Sequence, residues 1–174
     1  MRQSIWFTQD AGRKIHAIDY YEAEGEGLPH YAHVLERKGY LYGRHVAPHD
    51  IAVRELGSGR SRLETARQLG IRFETAKQMD LEDGIHATRV LLPRMWFDAA
   101  KCKVGLEALG RYRRSYNKVL GEYTEKPVHD HASHAADALR TLGIAHRAAR
   151  PRPELMLSDK VGPVAPGPTA WMAI

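Results

Sequence analysis

The sequence has a single cysteine and no long apolar run, and both absences narrow the class of protein. Cys102 stands alone among 174 residues, so a disulfide within this chain is excluded, and a reducing compartment is favoured. A lone cysteine of this kind usually packs in a core as a small hydrophobic residue. No apolar stretch approaches the roughly 20 residues that a membrane-spanning helix needs. The sequence therefore predicts no association with a membrane.

The excess of positive charge is also small. The chain has 26 Lys and Arg against 21 Asp and Glu, a net charge of +5, which makes a polyanion such as nucleic acid a plausible partner. Three of the basic residues, Arg147, Arg150 and Arg152, fall near the end of the sequence. The Gly-rich stretch GSGRS at 57–61 lacks the Lys-Ser/Thr ending of a P-loop, so we predict no nucleotide site there.

What the sequence does contain is enough for one domain with a real core. Hydrophobic residues make up 43% and charged residues 27% of the chain, as in ordinary globular proteins. The periodic pattern fails after about Arg147, where prolines recur at 151, 153, 163, 166 and 168. We therefore predict a domain over 1–147 and a Pro-rich disordered tail over 148–174.

The order of patterns predicts an α/β fold with a mixed sheet flanked by helices. Alternating residues around Gly12 predict an antiparallel hairpin of strands at 4–9 and 14–21. Ser61 and Glu64 form a capping-box pattern, which predicts a helix that starts there and ends before Gly70. The remaining predicted elements are a helix at 30–38, a strand at 40–46, a strand at 72–76, a helix after Asp80, a long helix at 99–117 and an extended segment at 119–125.

The stretch PVHDHASHAADALR at 127–140 concentrates the polar chemistry of the chain. On a helix, Asp130, His134 and Asp137 would share one stripe. The neighbouring stripe, which has the character of a core face, consists of Ala135, Leu139 and Leu142. Two interpretations stay open: the polar stripe binds a cation or substrate, or Asp130 merely caps the helix and the histidines are solvated.

A second carboxylate has an equally favourable position. Asp50 follows His49 and Pro48 at the carboxyl end of a predicted strand, where open α/β sheets place ligand groups. The alternative is a turn aspartate that bonds its own backbone. With Asp137, this residue could hold divalent cations for phosphodiester hydrolysis, and His134 could orient a carboxylate or bind phosphate.

The predicted long helix carries a basic exterior. Such a face is usually only solvated, but it could also lie along a phosphate backbone. The residues that we expect to contact DNA are Lys101, Arg111, Arg113 and Arg114.

Three segments together resemble the nuclease domain of tailed-phage large terminases. They are YLYGRHVAPHDIAVRELGSGRSRLE, LEDGIHATRVLLPRMWFDAAKCKVGLEALGRYRRSYN and KPVHDHASHAADALRTL. The resemblance covers roughly 4–145, and the elements PHD, R-x-L-L-P-x-x-W-F-D and HD-x-x-S-H-A-A-D-A-x-R are specific in combination.

The resemblance implies an RNase H-like fold and a metal-dependent endonuclease that cuts concatemeric viral double-stranded DNA. It implies Asp50 and Asp137 as catalytic acids and metal ligands, Asp130 as a further metal ligand, and His49 and His134 as supporting residues. It also implies Mg²⁺ or Mn²⁺, two ions in the family, as the cofactor. The implied partners are viral DNA, a small terminase subunit and a portal, and the implied location is the cytoplasm of a bacterial host.

The sequence departs from the family pattern at its start. Family members have an earlier strand that carries a first catalytic aspartate, preceded by an ATPase domain, and from the resemblance we expect this chain to lack both. We therefore expect a partial nuclease domain with an unpaired strand edge and a weakened metal site. Asp10 and Asp19 are the substitutes at hand, although both belong to the hairpin.

Two other functions compete with the nuclease. The chain could be a non-catalytic DNA-binding or assembly remnant of a prophage terminase, which the missing first acid favours. It could also be a zinc hydrolase that uses His129, His131 and His134, although the usual helix spacing with a glutamate base is absent.

Overall fold

A computed structural model describes residues 2–57, 59–148 and 169–173. Its strands are β1 (Arg2–Ala11), β2 (Lys14–Glu24), β3 (His45–Ala47), β4 (Phe73–Thr75), β5 (Met95–Phe97), β6 (Arg114–Asn117), β7 (Glu122–Pro127) and β8 (Thr169–Ala173). Its α-helices are α1 (Leu28–Lys38), α2 (Arg62–Gln68), α3 (Leu81–Leu91), α4 (Lys103–Arg111) and α5 (His131–Ala148). Short 3-10 helices cover His49–Ala52 and Leu92–Arg94.

The described strands form one mixed sheet and one separate hairpin. The six-stranded sheet has the order β4-β3-β8-β1-β2-β5, and β6 pairs with β7 alone. Strand β1 is antiparallel to both β2 and β8, whereas β3 is parallel to β8 and to β4, and β5 is parallel to β2. The predicted α/β class with a mixed central sheet is thus confirmed.

Alternation along β1 divides the core between the two faces of the sheet. Trp6 is fully buried on the face covered by α5, where its Nε1 donates a hydrogen bond to the Ala135 carbonyl at 3.0 Å. Its neighbours Ile5 and Phe7 point the other way, into a cluster that includes Tyr31 of α1. The sheet is therefore covered on both faces, and α5 is fixed directly over β1.

Several local predictions are confirmed by the structure. Ser61 and Glu64 form both hydrogen bonds of the capping box at the start of α2. Helix α1 ends at Gly39, whose φ of 65° is the left-handed conformation that favours glycine at this position. The predicted core stripe of α5 is also buried, with exposed fractions of 0% for Ala135, 1% for Leu139 and 0% for Leu142.

The prediction of one long helix over 99–117 is wrong. Helix α4 ends at Arg111, because Tyr112 adopts an extended conformation and the following residues enter β6. The hairpin gains a ring contact between Tyr116 and Tyr123 at 5.1 Å, and the Asn117 side chain accepts hydrogen bonds from the turn. Cross-strand pairing therefore overrides the helical spacing that the sequence displays.

The prediction of an unpaired strand edge is also wrong. Residues 169–173, which the sequence placed in a disordered tail, form β8 and fill the position between β1 and β3. The other residues of the predicted tail beyond 148 lie outside the described residues. The predicted boundary at 147 stays a prediction.

Candidate metal centre at one end of the sheet

Asp50 lies just past the carboxyl end of β3. Pro48 is extended, and the chain then turns into the 3-10 helix His49–Ala52, which Ile51 anchors in the core with 0% exposure. This turn leaves the Asp50 Oδ1 atom buried and without a hydrogen-bond partner among the described residues. A buried carboxylate oxygen with no donor is costly, and a cation bound at this position would remove that cost.

Asp137 reaches the same end of the sheet from α5. Its helix neighbours Ala138 and Leu139 are buried at 2% and 1% exposure, which holds this part of α5 against the sheet. The Asp137 carboxylate pairs with Arg140 at 2.9 Å. Burial raises the pKa of Asp137 above its ordinary value, and the Arg140 guanidinium opposes that shift.

A single pocket of about 190 Å³ is lined by both carboxylates. Lys77 and Arg140 add positive charge to its wall, and His49 lies at its edge. The rest of the lining consists of Pro48, Ala76, Met79, Thr141 and Ile144. Asp50 and Asp137, which the sequence analysis identified in distant segments, therefore line the same pocket.

The supporting histidines differ in their positions. His49 lines the pocket and is exposed to solvent. His134 is half-buried outside the pocket lining, with its ring 5.6 Å from that of His129. Burial, and then the neighbouring His129, lower the pKa of His134, which favours its neutral form.

Asp130 caps a helix, which is the alternative to cation binding that the sequence left open. Its Oδ1 accepts a hydrogen bond from the Ala132 backbone N–H at 2.9 Å, which caps the start of α5. Its Oδ2 pairs with Arg113 at 3.2 Å, and these contacts lower the Asp130 pKa. Asp130 does not line the pocket that holds Asp50 and Asp137.

Two residues of the pocket, Lys77 and Arg140, had no predicted role. Lys77 follows β4, which is parallel to β3, so both strands deliver residues to the same edge. Arg140 lies three residues after Asp137 on α5, and this spacing was visible in the sequence. Its stem crosses α3 at Gly84, where an added Cβ would lie 2.7 Å from Arg140 Cδ.

The donor set fits a hard divalent cation only in part. Carboxylate oxygens are the ligands that Mg²⁺ and Mn²⁺ prefer, and one Asp50 oxygen has no hydrogen-bond partner among the described residues. Within residues 2–57, 59–148 and 169–173, however, no group of three His, Cys, Asp or Glu side chains is placed to hold a metal. The zinc site of His129, His131 and His134 is accordingly not assembled in this part of the chain.

The four basic residues predicted to contact DNA are all exposed. Arg113 and Arg114 lie at the base of the β6–β7 hairpin, where Arg114 also pairs with Glu82 at 2.6 Å. Lys101 lies over the Tyr40 ring, with Nζ 6.0 Å from its centroid. Arg111 ends α4 beside the hairpin. They therefore belong to a turn, a helix end and a hairpin rather than to one helix.

Comparison with known proteins rests on structure rather than on sequence. No protein-family model matches the chain, and no curated protein is significantly similar to it.

Among the helices that the structure describes, none is both long and apolar enough to cross a membrane.

Two solved phage proteins have the same fold. The large terminase of a thermophilic bacteriophage superposes with a TM-score of 0.57 at 17% identity, over 85% of this chain and 37% of that one. The nuclease domain of the bacteriophage SPP1 large terminase, solved with bound Mn, superposes with a TM-score of 0.55 at 19% identity, over 83% of this chain and 86% of that one. The chain thus spans little more than a third of the thermophilic phage terminase. The fold of the chain is the RNase H-like fold of phage large-terminase nuclease domains.

Proposed function

We propose that this chain is the metal-dependent endonuclease domain of a viral DNA-packaging terminase, cutting concatemeric double-stranded DNA. The observation that carries the proposal is the pocket shared by Asp50 and Asp137, in which one buried Asp50 oxygen has no partner among the described residues. The shared fold with two large-terminase nuclease domains supports the same reaction class.

The proposed metal ligands are Asp50 and Asp137, with Mg²⁺ or Mn²⁺ as the ion. When bound, such ions polarise the phosphoryl group and activate water, as two-ion sites do in other nucleases. Asp137 must lose its proton before it can bind a cation, and Arg140 favours the ionised form. Lys77 and Arg140 are placed to hold a phosphate oxygen at the pocket wall.

The proposed DNA contacts are Lys101, Arg111, Arg113 and Arg114. All four are exposed, and phosphate contacts of this kind position a duplex without reading its sequence. Arg113 also pairs with Asp130 at the start of α5, the helix that bears Asp137. A small terminase subunit and a portal, in the cytoplasm of a bacterial host, complete the proposed setting.

The test is cleavage of supercoiled plasmid by the full chain with Mn²⁺ or Mg²⁺. Asp137→Ala should reduce the rate by more than about 100-fold, since replacing a residue that only orients a metal ligand already lowers activity or metal affinity by about 10–100-fold. Asp83→Ala removes an exposed carboxylate of α3 outside the pocket and should cleave like the unaltered chain. Cleavage that survives Asp137→Ala would contradict the assignment of the site.

A second candidate function has its own supporting observation. Because no third acid joins Asp50 and Asp137 among the described residues, a non-catalytic DNA-binding or assembly remnant of a prophage terminase fits the same fold. This alternative predicts no cleavage by the folded chain, but salt-dependent DNA binding that Asp50→Ala and Asp137→Ala leave unchanged.

A further inference from the structure

Strand β8 joins two parts of the sheet that otherwise have no backbone pairing. Strands β1 and β3 do not pair with each other, since both pair with β8 from opposite sides. Without residues 169–173, the sheet would separate into β2 with its neighbours β1 and β5, and the short pair β3 with β4. Two facing edges would then expose unpaired N–H and C=O groups.

The pairing defines the segment that this position accepts. Ala170 pairs with Phe7 on one side and with His45 on the other. Trp171 pairs with Trp6 and Val46 in the same way. Because a strand presents its backbone groups alternately to its two neighbours, one extended segment can satisfy both edges, and residues 169–173 do so antiparallel to β1 and parallel to β3.

The two edges lead to the two carboxylates of the pocket. Strand β3 runs directly into the turn that carries Asp50. Strand β1 holds α5, the helix of Asp137, through the hydrogen bond from Trp6 to Ala135. Since neighbouring strands lie about 4.8 Å apart, one intervening strand fixes the separation of β1 from β3 and thereby that of the two acids.

We propose that the space between β1 and β3 is a strand-acceptor site, that residues 169–173 of this chain are its occupant, and that their insertion assembles the Asp50–Asp137 pocket. The sequence of the segment, TAWMA, suits an interior strand: it has no proline, glycine or charge. The insertion does not depend on whether the pocket cuts DNA, so it can be tested without nuclease activity.

Amide hydrogen exchange of the full, unaltered chain is the first test. The amides of Ala170 and Trp171 should exchange on the order of 100-fold more slowly than in a free peptide of the same sequence, in the range of the Trp6 amide. Exchange at the rate of the free peptide would overturn the proposal. Protection that depends on protein concentration, with a dimer in solution, would overturn the assignment of the strand to the same chain.

A matched pair of full-length variants gives the second test. Ala170→Pro removes a backbone N–H from a strand that is paired on both sides, whereas Ala170→Ser keeps it at nearly the same volume. Ala170→Pro should raise exchange in β1 and β3 by about tenfold or more, with little change at Ala17, which pairs with β5. Equal exchange in the two variants would contradict the proposal.

Adding the occupant as a separate molecule completes the test. A synthetic peptide of residues 166–174 should restore the protection of β1 and β3 in Ala170→Pro, whereas the same peptide with proline at 170 should not. Restored protection of β1 and β3 together with restored protection of the Ile51 amide, which donates to the Pro48 carbonyl beside Asp50, would link the strand to the pocket. Restored protection of β1 and β3 without that of Ile51 would overturn the link, whatever the outcome for Mn²⁺ binding or DNA cleavage.

Discussion

Two carboxylates in the core region, Asp19 and Asp50, have opposite surroundings. Asp19 of β2 is only 4% exposed, yet each of its oxygens has a partner. Its Oδ1 accepts a hydrogen bond from the Tyr20 N–H at 2.8 Å. Its Oδ2 accepts from Lys38 at 2.5 Å and from the Tyr40 hydroxyl at 3.0 Å. Asp50 has a buried oxygen with no partner among the described residues. Removing one partner of a paired buried charge destabilises the fold, whereas a buried oxygen that has no partner is available to a ligand.

The difference shows why the position of an acid along the chain does not reveal its role. From the sequence, Asp19 was a candidate substitute for the first catalytic aspartate of the terminase family, but its contacts give it another role. Among the described contacts, Lys38 of α1 and Tyr40 surround Asp19 and leave it little freedom to bind a metal. These contacts predict that Asp19 contributes to stability, whereas Asp50 is the residue that we propose binds a ligand.

The largest expected effect on stability is that of Asp19→Ala. It removes the buried acceptor of Lys38 and Tyr40 and should lower the free energy of unfolding by about 3 kcal/mol. The reason is that the Lys38 ammonium, only partly in contact with water, would lose the charge that pairs with it. Urea denaturation of the full chain measures this. Loss of less than about 1 kcal/mol would show that the Asp19 network is not a structural element.

The next effect belongs to Asp130, a carboxylate with a capping role. Asp130→Ala should lower the free energy of unfolding, by less than Asp19→Ala does, through loss of the bond to the Ala132 N–H. Asp130→Ser retains a capping side chain and should recover most of that loss. If Asp130→Ala also abolished Mn²⁺ binding, Asp130 would be a metal ligand, as the sequence resemblance implies.

A smaller, pH-dependent effect is expected at Asp137, whose side chain is 33% exposed. Because burial raises its pKa in the folded state, the folded protein binds this proton more tightly than the unfolded chain does. Without metal, the free energy of unfolding should therefore fall as the pH rises from the ordinary pKa of an aspartate through the raised pKa of Asp137. It should be regained when the pH is lowered again to the ordinary value. Asp137→Asn, which cannot ionise, should lack this component in denaturation curves taken from acid to neutral pH.

The effect of Arg140 on the pKa of Asp137 has a direction that can be tested. Arg140→Ala removes the largest influence that opposes the rise, so the pKa of Asp137 should increase further. An NMR titration of the Asp137 carboxyl carbon measures the shift in both proteins. A decrease in the pKa of Asp137 would contradict the described ion pair.

The smallest effect on stability is expected for Asp50→Ala. Removing a buried oxygen that has no partner among the described residues leaves no donor there unsatisfied, so the free energy of unfolding should change by less than about 0.5 kcal/mol or increase slightly. Urea denaturation beside Asp19→Ala gives the contrast within one experiment. A loss as large as that of Asp19→Ala would show that Asp50 is a structural acid.

Much of the fold could be predicted where a local signal and the tertiary structure agree. The hairpin of β1 and β2, the capping box of Ser61 and the buried stripe of α5 all follow from side-chain periodicity and turn chemistry. The positions of Asp50 after a strand and Asp137 on the last described helix were also readable. Their convergence in one pocket required the sheet order, which no single segment displays.

The elements that the sequence did not predict depend on distant partners. Strand β5 has three residues and is defined by pairing with Ile15, His16 and Ala17. Strand β8 follows a Pro-rich stretch, and its place between β1 and β3 is set by edges far away in the sequence. Lys77 was missed because its relevance comes from the parallel pairing of β4 with β3.

The central claim is that Asp50 and Asp137 together bind a divalent cation, and Mn²⁺ binding followed by electron paramagnetic resonance tests it most directly. The account predicts saturable Mn²⁺ binding by the full chain, weakened at least about 100-fold in Asp50→Ala and unchanged in Asp83→Ala and Asp19→Ala at temperatures where each is folded. Equal Mn²⁺ affinity in Asp50→Ala and the unaltered chain would contradict it.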